Sequence, residues 1–452
     1  MAPPAPIVAD LTTVAVKYAL LDNNSTASPT PAKASNGELA LAELDSSKLK
    51  VTITNSPKPY YRPETSQWGR ADATTDHWIT VRWTDTVGWH APELRPYTRM
   101  DLWPTASCLH YATECFEGLK AYRGYDGKIR LFRPSRNTAR LLVSSTRISC
   151  PGFSPSAMEE LIKALLSVDA EKWLPEPGTF IYIRPTMIGA GRALGVQKPR
   201  EAFFYIIMAL FPKLDNPMKL LASSEDSIRA WPGGFGYAKV GANYGPSLMA
   251  QKEAQIRGYD QILWLFGPDA SVTEAGASNF FCIIRSKVTG KLELITAPLD
   301  DKIILDGVTR RSVLELARER LADELEVVER KYTMADLASA HDEGRLVEAF
   351  AAGTAFFVAP VTRIHFRGKD IVPTKTDGEE TYTNTIKQWL AQIMYGKVEH
   401  EWAVVVEEKG FKSEAVSEAE IEEMVKKIKE LKASRAWQAA FEKVKSEELG
   451  DA

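Results

Sequence analysis

The sequence predicts a mixed α/β or α+β body built from two or three domains, on three observations. The chain has 452 residues, too many for one ordinary core at roughly 150 residues per domain. From about residue 78 to 400, short apolar runs alternate with helix-period patterns. The composition, 44% hydrophobic and 25% charged, excludes a wholly disordered, collagen-like or coiled-coil chain.

In chain order, residues 23–37 are rich in Ser, Thr, Pro and Ala and read as flexible. Short apolar runs predict strands over 77–83, 180–183, 203–211, 261–265, 280–284, 292–295 and 355–358. Helical spacing predicts helices over 158–166, 246–257, 308–321 and 384–394. The stretch 213–218, with Asp215, Asn216 and Pro217 behind Pro212, reads as a linker between two halves. Beyond it, Ser417 and Glu420 form a capping-box pattern ahead of Ile421, Met424, Val425, Ile428 and Leu431. Two amphipathic helices are expected over 417–447, packed on the body or on a partner subunit.

Charge and cysteines exclude several function classes. Lys and Arg number 56 against 59 Asp and Glu, a net charge of -3, so nothing favours a dedicated nucleic-acid binder. The apolar run 202–211 is about half of the roughly 20 residues a membrane span needs. Cys108, Cys115, Cys150 and Cys282 contain no CxxC pair, which argues against a disulfide framework or structural zinc and for a reduced compartment. Six histidines without HExxH spacing point away from a catalytic metal. The N-terminus lacks a basic stretch before an apolar core, and Asp10 and Asp22 precede the first arginine, Arg62. A cytoplasmic location is expected, with the mitochondrion as the alternative.

Nucleotide loops are rejected. Gly189 and Gly191 begin a dinucleotide fingerprint, but Leu194 occupies the third glycine position, and no GxxxxGK[ST] occurs. The unusual segment is 231–245, which holds five glycines and one charge, Lys239. Glycines let a flat ligand approach the main chain. A lysine wedged among small and apolar residues is poorly hydrated, as a Schiff-base lysine must be. Alone, the segment fits an ordinary lysine in a surface glycine loop equally well. A pyridoxal phosphate site also needs a carboxylate for the ring nitrogen, a donor for the 3-oxygen and an anion cradle. Glu274, at a turn before a strand, Tyr244, five residues after Lys239, and Gly307-Val308-Thr309, opening a helix, supply candidates. Gly353-Thr354-Ala355 offers further amides. Singly, these read as a solvated turn acid and a plain N-cap; the set in one chain does not.

With those residues assembled, the chain resembles the branched-chain amino-acid aminotransferases, class IV pyridoxal-phosphate enzymes. The resemblance spans roughly residues 60–405 and rests on seven ordered motifs: 111–122, 131–141, Tyr182-Ile-Arg184-Pro, the lysine segment with Asn243-Tyr244-Gly245, 273–279, 305–311 and Gly353-Thr354-Ala355.

The resemblance implies a two-domain fold-type IV α/β enzyme with pyridoxal 5'-phosphate in the interdomain cleft and a homodimer completing the pocket. Its divisions would be a flexible 1–55, a smaller substrate-side domain 56–212, a linker 213–219, a larger cofactor domain 220–405 and a helical extension 406–452. Lys239 matches the lysine that carries the cofactor and shuttles the proton. Glu274 matches the acid at the pyridine nitrogen, Tyr244 the tyrosine on the 3-oxygen and Arg140 the phosphate arginine. Val308, Thr309 and Thr354 match phosphate-binding amides and hydroxyls, and Arg229 an arginine near the cofactor face. Tyr111, Tyr182 and Arg184 match the set that reaches glutamate's distal carboxylate, while Thr354 and Ala355 match the α-carboxylate turn. The activity implied is transfer of the amino group of leucine, isoleucine or valine to 2-oxoglutarate, with small amino and 2-oxo acids as the only other partners. Rivals are a D-amino-acid transaminase or aminodeoxychorismate-type lyase on the same fold, or a silent scaffold. Mammalian members carry CxxC after the Gly-Thr-Ala turn, where this chain has Phe356-Phe-Val-Ala359, so thiol gating there is not expected. Some members have a threonine at the place of Ala277, and Ser278 is the nearest substitute hydroxyl.

Overall fold

The computed structural model describes residues 41–62, 73–214, 216–355, 357–376, 378 and 380–408. The expected helices over 417–447 and the flexible stretch 23–37 lie outside the described residues. One compact unit contains the whole described chain.

Two mixed sheets carry the site. The first holds β1 (Lys50–Val51), β2 (His77–Thr84), β3 (Gly88–Trp89), β4 (Glu93–Pro96), β5 (Glu114–Phe116), β6 (Leu119–Arg123), β7 (Ile129–Phe132), β8 (Phe180–Gly189) and β9 (Glu201–Ala209). The second holds β10 (Met218–Ala222), β11 (Gln261–Phe266), β12 (Ser271–Ala275), β13 (Ser278–Arg285), β14 (Leu292–Thr296), β15 (Leu325–Glu329), β16 (Leu346–Gly353), β17 (Phe357–Phe366) and β18 (Lys369–Ile371). The last strand, β19 (Ala403–Val406), returns to the first sheet.

In the first sheet the order is β1-β4-β2-β9-β8-β6-β7-β19, antiparallel except for β1–β4, with β5 on the far part of β8. In the second, the order is β12-β11-β10-β17-β16-β13-β14-β15, and a further β12–β13 pairing closes part of that path on itself. Lys120 lies opposite Tyr182, and Tyr122 opposite Phe180. Because side chains two apart on a strand share a face, one face of β6–β8 runs from Arg184 through Tyr182 to Phe180.

Among the described residues, seven helices pack on these sheets: α1 (Ser107–Tyr111), α2 (Pro134–Arg147), α3 (Pro155–Trp173), α4 (Ser247–Ile256), α5 (Val308–Arg320), α6 (Met334–Asp342) and α7 (Tyr382–Met394). The start of α3 follows from its sequence: Ser154 caps the amide of Ala157, and Pro155 takes the first turn, where its missing N–H costs nothing. Its buried Met158, Leu161, Ile162, Leu165 and Leu166 are one apolar stripe, fixed against the first sheet's core. A second cluster is common to both sheets. It joins Tyr122, Phe132 and Phe180 to Phe281 and Phe350, which stack at 4.9 Å, and to Val313, Leu316, Ile386 and Leu390 of α5 and α7. Among the described residues no helix is long and apolar enough to cross a membrane.

Two local expectations are corrected. The run 355–358 is not one strand: Thr354 and Ala355 form the turn between antiparallel β16 and β17. The alanines on either side, Ala351, Ala352 and Ala359, are fully buried small strand residues, so the apolar run continued across a bend that periodicity does not register. Glu274 stands inside β12, paired with Trp264 and Asn279. The turn that its neighbours suggested comes just after it, at Gly276, where φ is +56°. Ala403–Val406 hydrogen-bond along β7.

Candidate active site

Lys239 sits in the coil ahead of a short turn at Gly241–Asn243, clamped from both sides through its own backbone. Its N–H donates to Ser144 Oγ of α2 at 2.8 Å, and its carbonyl accepts from the Phe116 N–H at 3.0 Å. The half-buried side chain ends 3.1 Å from the Tyr244 hydroxyl. Both face the Phe116 ring, at 5.1 Å from the Lys239 ammonium and 5.2 Å from the Tyr244 ring. The pair predicted from sequence is therefore brought together.

Glu274 is buried, and both of its oxygens are engaged. Oε2 meets Arg229 Nη2 at 2.8 Å; Oε1 accepts from the Leu305 N–H at 3.0 Å and Asn279 Nδ2 at 3.1 Å. Burial pushes this carboxyl above the ordinary glutamate range, against the opposing pull of Arg229, the Leu305 amide, Lys239 and Arg140. Arg229 thus reaches the carboxylate itself, a more specific place than the cofactor face.

Arg140 is not a surface residue of an amphipathic helix. It lies beneath Glu117 with 10% of its side chain exposed, is bidentate to it at 2.7 and 2.9 Å, and donates to the Asp306 carbonyl at 2.8 Å. Three of its five donors are so used, which leaves two for an anion. Burial alone would raise the Glu117 carboxyl; Arg140, Lys239 and the amide of Asn137 at 2.8 Å together hold it below the ordinary range. Glu117 therefore contributes stability that is complete above the ordinary glutamate range and is lost as pH falls through its lowered value. Glu117→Ala is expected to cost about 3–5 kcal/mol in urea unfolding at neutral pH, because Arg140 is left without its carboxylate. Glu117→Gln should flatten the acid side of the stability–pH curve relative to the unmodified chain.

The anion cradle lies beside Arg140. Gly307 precedes α5, whose first amides have no side-chain cap, and Val308 and Thr309 are buried at that start. A helix N-terminus with open N–H groups favours an anion. Nearby, the Ser278 hydroxyl is buried with no hydrogen-bond partner. A Cβ on Gly353 would come within 2.6 Å of it. An unsatisfied buried hydroxyl behind a side-chain-free turn fits a ligand that brings its own acceptors. A pyridoxal phosphate ring between Lys239 and Glu274, with its phosphate toward Arg140, Val308, Thr309 and Thr354, suits this donor set.

The substrate side is partly assembled. Arg184 Nη2 donates to the Tyr182 hydroxyl at 2.9 Å, and the guanidinium lies 4.4 Å from the Phe116 ring centre. Arg184 Nε is buried without a partner. Tyr182 stacks on Phe211 at 4.9 Å, and Gly118 is side-chain-free where a Cβ would collide with the Tyr182 hydroxyl. Tyr111 does not join them: it ends α1 with 41% of its surface exposed, its ring beside His110. Thr354 and Ala355 form the turn, and the Ala355 carbonyl accepts from Lys120 Nζ at 3.2 Å.

Sequence reasoning missed four residues that hold this arrangement: Phe116, Glu117, Asn137 and Lys120. All four lay within quoted motifs, but nothing local distinguishes an acid that meets an arginine 23 residues away.

Comparison with known proteins gives the family. The amino-transferase class IV sequence model matches residues 114–364. The mitochondrial branched-chain-amino-acid aminotransferase of Schizosaccharomyces pombe is 43% identical over 361 residues, 78% of this chain and 83% of that one. The cytosolic enzyme of Saccharomyces cerevisiae is 42% identical over 379 residues, 81% of this chain and 99% of its own. The fold is that of the branched-chain aminotransferase of Thermoproteus uzoniensis with norvaline: TM-score 0.58, 24% identity, 73% of this chain and 99% of that one. The pyridoxal-phosphate form of the Thermobaculum terrenum enzyme gives TM-score 0.58 at 24% identity, over 74% and 99% of the chains. The chain belongs to the class IV aminotransferases, which are pyridoxal-phosphate enzymes, and within them to the branched-chain-amino-acid aminotransferases.

Proposed function

We propose that this chain moves the amino group of L-leucine, L-isoleucine or L-valine to 2-oxoglutarate, and back, in a ping-pong cycle through Lys239. The observation that carries the reading is the Lys239–Tyr244 pair, 3.1 Å apart, set in the same field as the buried Glu274–Arg229 pair.

Bound pyridoxal phosphate would supply the carbonyl that captures an amine and the electron sink that lets an α-proton leave. The remaining work belongs to the chain. Lys239 takes the proton from the substrate's α-carbon and returns it two atoms away, on the carbon across the nitrogen, as general base and then acid. Tyr244 holds the lysine amine by its hydroxyl and would donate to the 3-oxygen. Glu274, fixed by Arg229, Asn279 and Leu305, would hold the ring nitrogen's proton. Arg140 and the start of α5 would hold the phosphate, with Thr354 adding a hydroxyl.

One pocket must accept a branched apolar side chain and then glutamate. The Arg184 guanidinium stacked on Phe116 supports a solution. Its face is covered by an aromatic ring, so an apolar side chain meets carbon, while its edge, beside the Tyr182 hydroxyl, takes a carboxylate. The amides after Thr354 would take the α-carboxylate, with Lys120 pinning that turn through the Ala355 carbonyl. Tyr111 lies exposed near exposed Leu109 and Trp103, which suits burial by a second copy, so the working unit proposed is a homodimer. Curated relatives include mitochondrial and cytosolic proteins. The cytosol is proposed here, on four cysteines without a CxxC pair, with the mitochondrion as the alternative.

The test is the visible absorbance of the purified protein. A yellow band that bleaches on L-leucine without an acceptor is expected. A band that ignores L-leucine but bleaches with D-alanine would overturn the substrate, and a protein that never takes up the chromophore would overturn the site.

A further inference from the structure

Helix α2 turns a polar face inward. A core-facing helix ordinarily presents an apolar stripe, but the buried residues of α2 include Asn137, Thr138, Ser144 and Ser145, with Arg140 turned in among them. Asn137, Arg140 and Ser144, at spacings of three and four residues, share one side of the helix. All three serve the site. Asn137 and Arg140 both reach Glu117, the first at 2.8 Å and the second at 2.7 and 2.9 Å. The Ser144 hydroxyl, fully buried, has a partner on each side. It accepts from the Lys239 N–H at 2.8 Å and donates to the Arg140 carbonyl at 3.0 Å. A backbone N–H can only donate, so the hydroxyl's single proton is left for the carbonyl.

These bonds close a ring. It runs from Lys239 through Ser144 to Arg140, from the Arg140 guanidinium to Glu117, and along the chain from Glu117 to Phe116. The Phe116 N–H then returns to the Lys239 carbonyl at 3.0 Å, and Cys115 is bridged to Val240 beside it. One helical turn, a rise of about 6 Å, separates Arg140 from Ser144 within the ring. Pyridoxal phosphate carries its reactive carbonyl and its phosphate arm on neighbouring ring carbons, so a lysine and a phosphate arginine that serve it must keep a fixed separation. We propose that Ser144 is a positioning residue, the link that holds Lys239 at that separation from Arg140, so that a phosphate seated on the arginine brings the carbonyl to the lysine amine. The proposal rests on the cofactor reading of Lys239 and Arg140 and deepens it.

The experiment compares the unmodified holoenzyme with Ser144→Ala and Ser145→Ala. Ser145 is the matched control: it is equally buried, and its hydroxyl donates to the Pro151 carbonyl at 2.8 Å, outside the ring. Both variants should fold and lose similar stability in urea. Only Ser144→Ala should release the bound chromophore faster on dilution, by about five- to tenfold, the scale of one buried hydrogen bond. Its half-reaction with L-leucine should show kcat lowered about tenfold at unchanged KM. A small misplacement of the lysine costs rate, while Arg184, Tyr182 and the Thr354 turn are untouched. Ser145→Ala should match the unmodified enzyme in both chromophore release and kcat. Equal behaviour of the two alanine variants in these readouts, or a Ser144→Ala effect confined to KM or to stability, would overturn the proposal. Failure of the transamination reading has a different signature: the contrast in chromophore release would persist, but the unmodified protein would not bleach with L-leucine.

Discussion

Lys239→Ala is expected to leave a folded protein that turns over branched-chain substrates about 10⁴-fold more slowly, the upper end of what a positioned acid–base group contributes. The side chain is half-buried and holds one hydrogen bond, to Tyr244, so its removal should cost little stability. The backbone contacts to Ser144 and Phe116 survive the substitution. Single-turnover rates with L-leucine, and partial rescue by an added small primary amine, read the two halves of the expectation. A variant that keeps the unmodified rate would remove Lys239 from the chemistry.

The second large effect is expected at Glu274. Glu274→Gln keeps the shape of the side chain and its acceptor toward the Leu305 amide, but removes the charge that faces Arg229 at 2.8 Å. A loss of about 10²–10³-fold in kcat is expected, the scale on which one preorganised electrostatic partner acts. Glu274→Ala should in addition cost about 3–5 kcal/mol, because Arg229, only 11% exposed, is left without its carboxylate and holds only the Ile303 carbonyl at 3.1 Å. Pairing Glu274→Ala with Arg229→Met should recover much of that stability and none of the activity. Recovery of both would mean that the carboxylate is structural only.

The candidate site was more legible in sequence than the scaffold that holds it. Lys239, Tyr244 and Glu274 stand in short, glycine-rich or turn-rich stretches whose oddness is visible locally. Arg140 was legible only through resemblance, since a helix of the composition of α2 looks solvated until Glu117 is known to lie beneath it. Glu117 and Phe116 gave no signal, because their partners arrive across long sequence separations. Tyr111 matched the substrate set but stands exposed on α1, a place that one chain's sequence cannot distinguish from a pocket wall. Among the elements, strands such as β2 and β11 were clear from their apolar runs, and helical spacing marked the core helix α3 (Pro155–Trp173) over 158–166 only. By contrast, α6 carries a complete capping box, with Thr333 and Asp336 each accepting from the other's backbone, yet its apolar stripe is too short to register. The long β8 was read only at its first few residues, because Arg184 and Pro185 interrupt the apolar run in the middle of the strand.

The return of β19 to β7 has a bearing on how the chain is made. Residues 403–406 complete a sheet whose other strands end at residue 209, and Glu408 closes on Arg123 across 285 positions with two hydrogen bonds of 2.6 and 2.8 Å. During synthesis the β7 edge therefore waits, unpaired, while the whole second sheet is translated. At about 5–20 residues per second, that interval is on the order of 10–40 s. An open strand edge is a template for another chain, so the nascent first half is the stage most exposed to aggregation. Its guanidinium at Arg123 is meanwhile held only by the carbonyls of Leu174, Gly127 and Ala170. A ribosome-bound chain stopped just before residue 403 should be markedly more dependent on chaperones than one stopped just after 408.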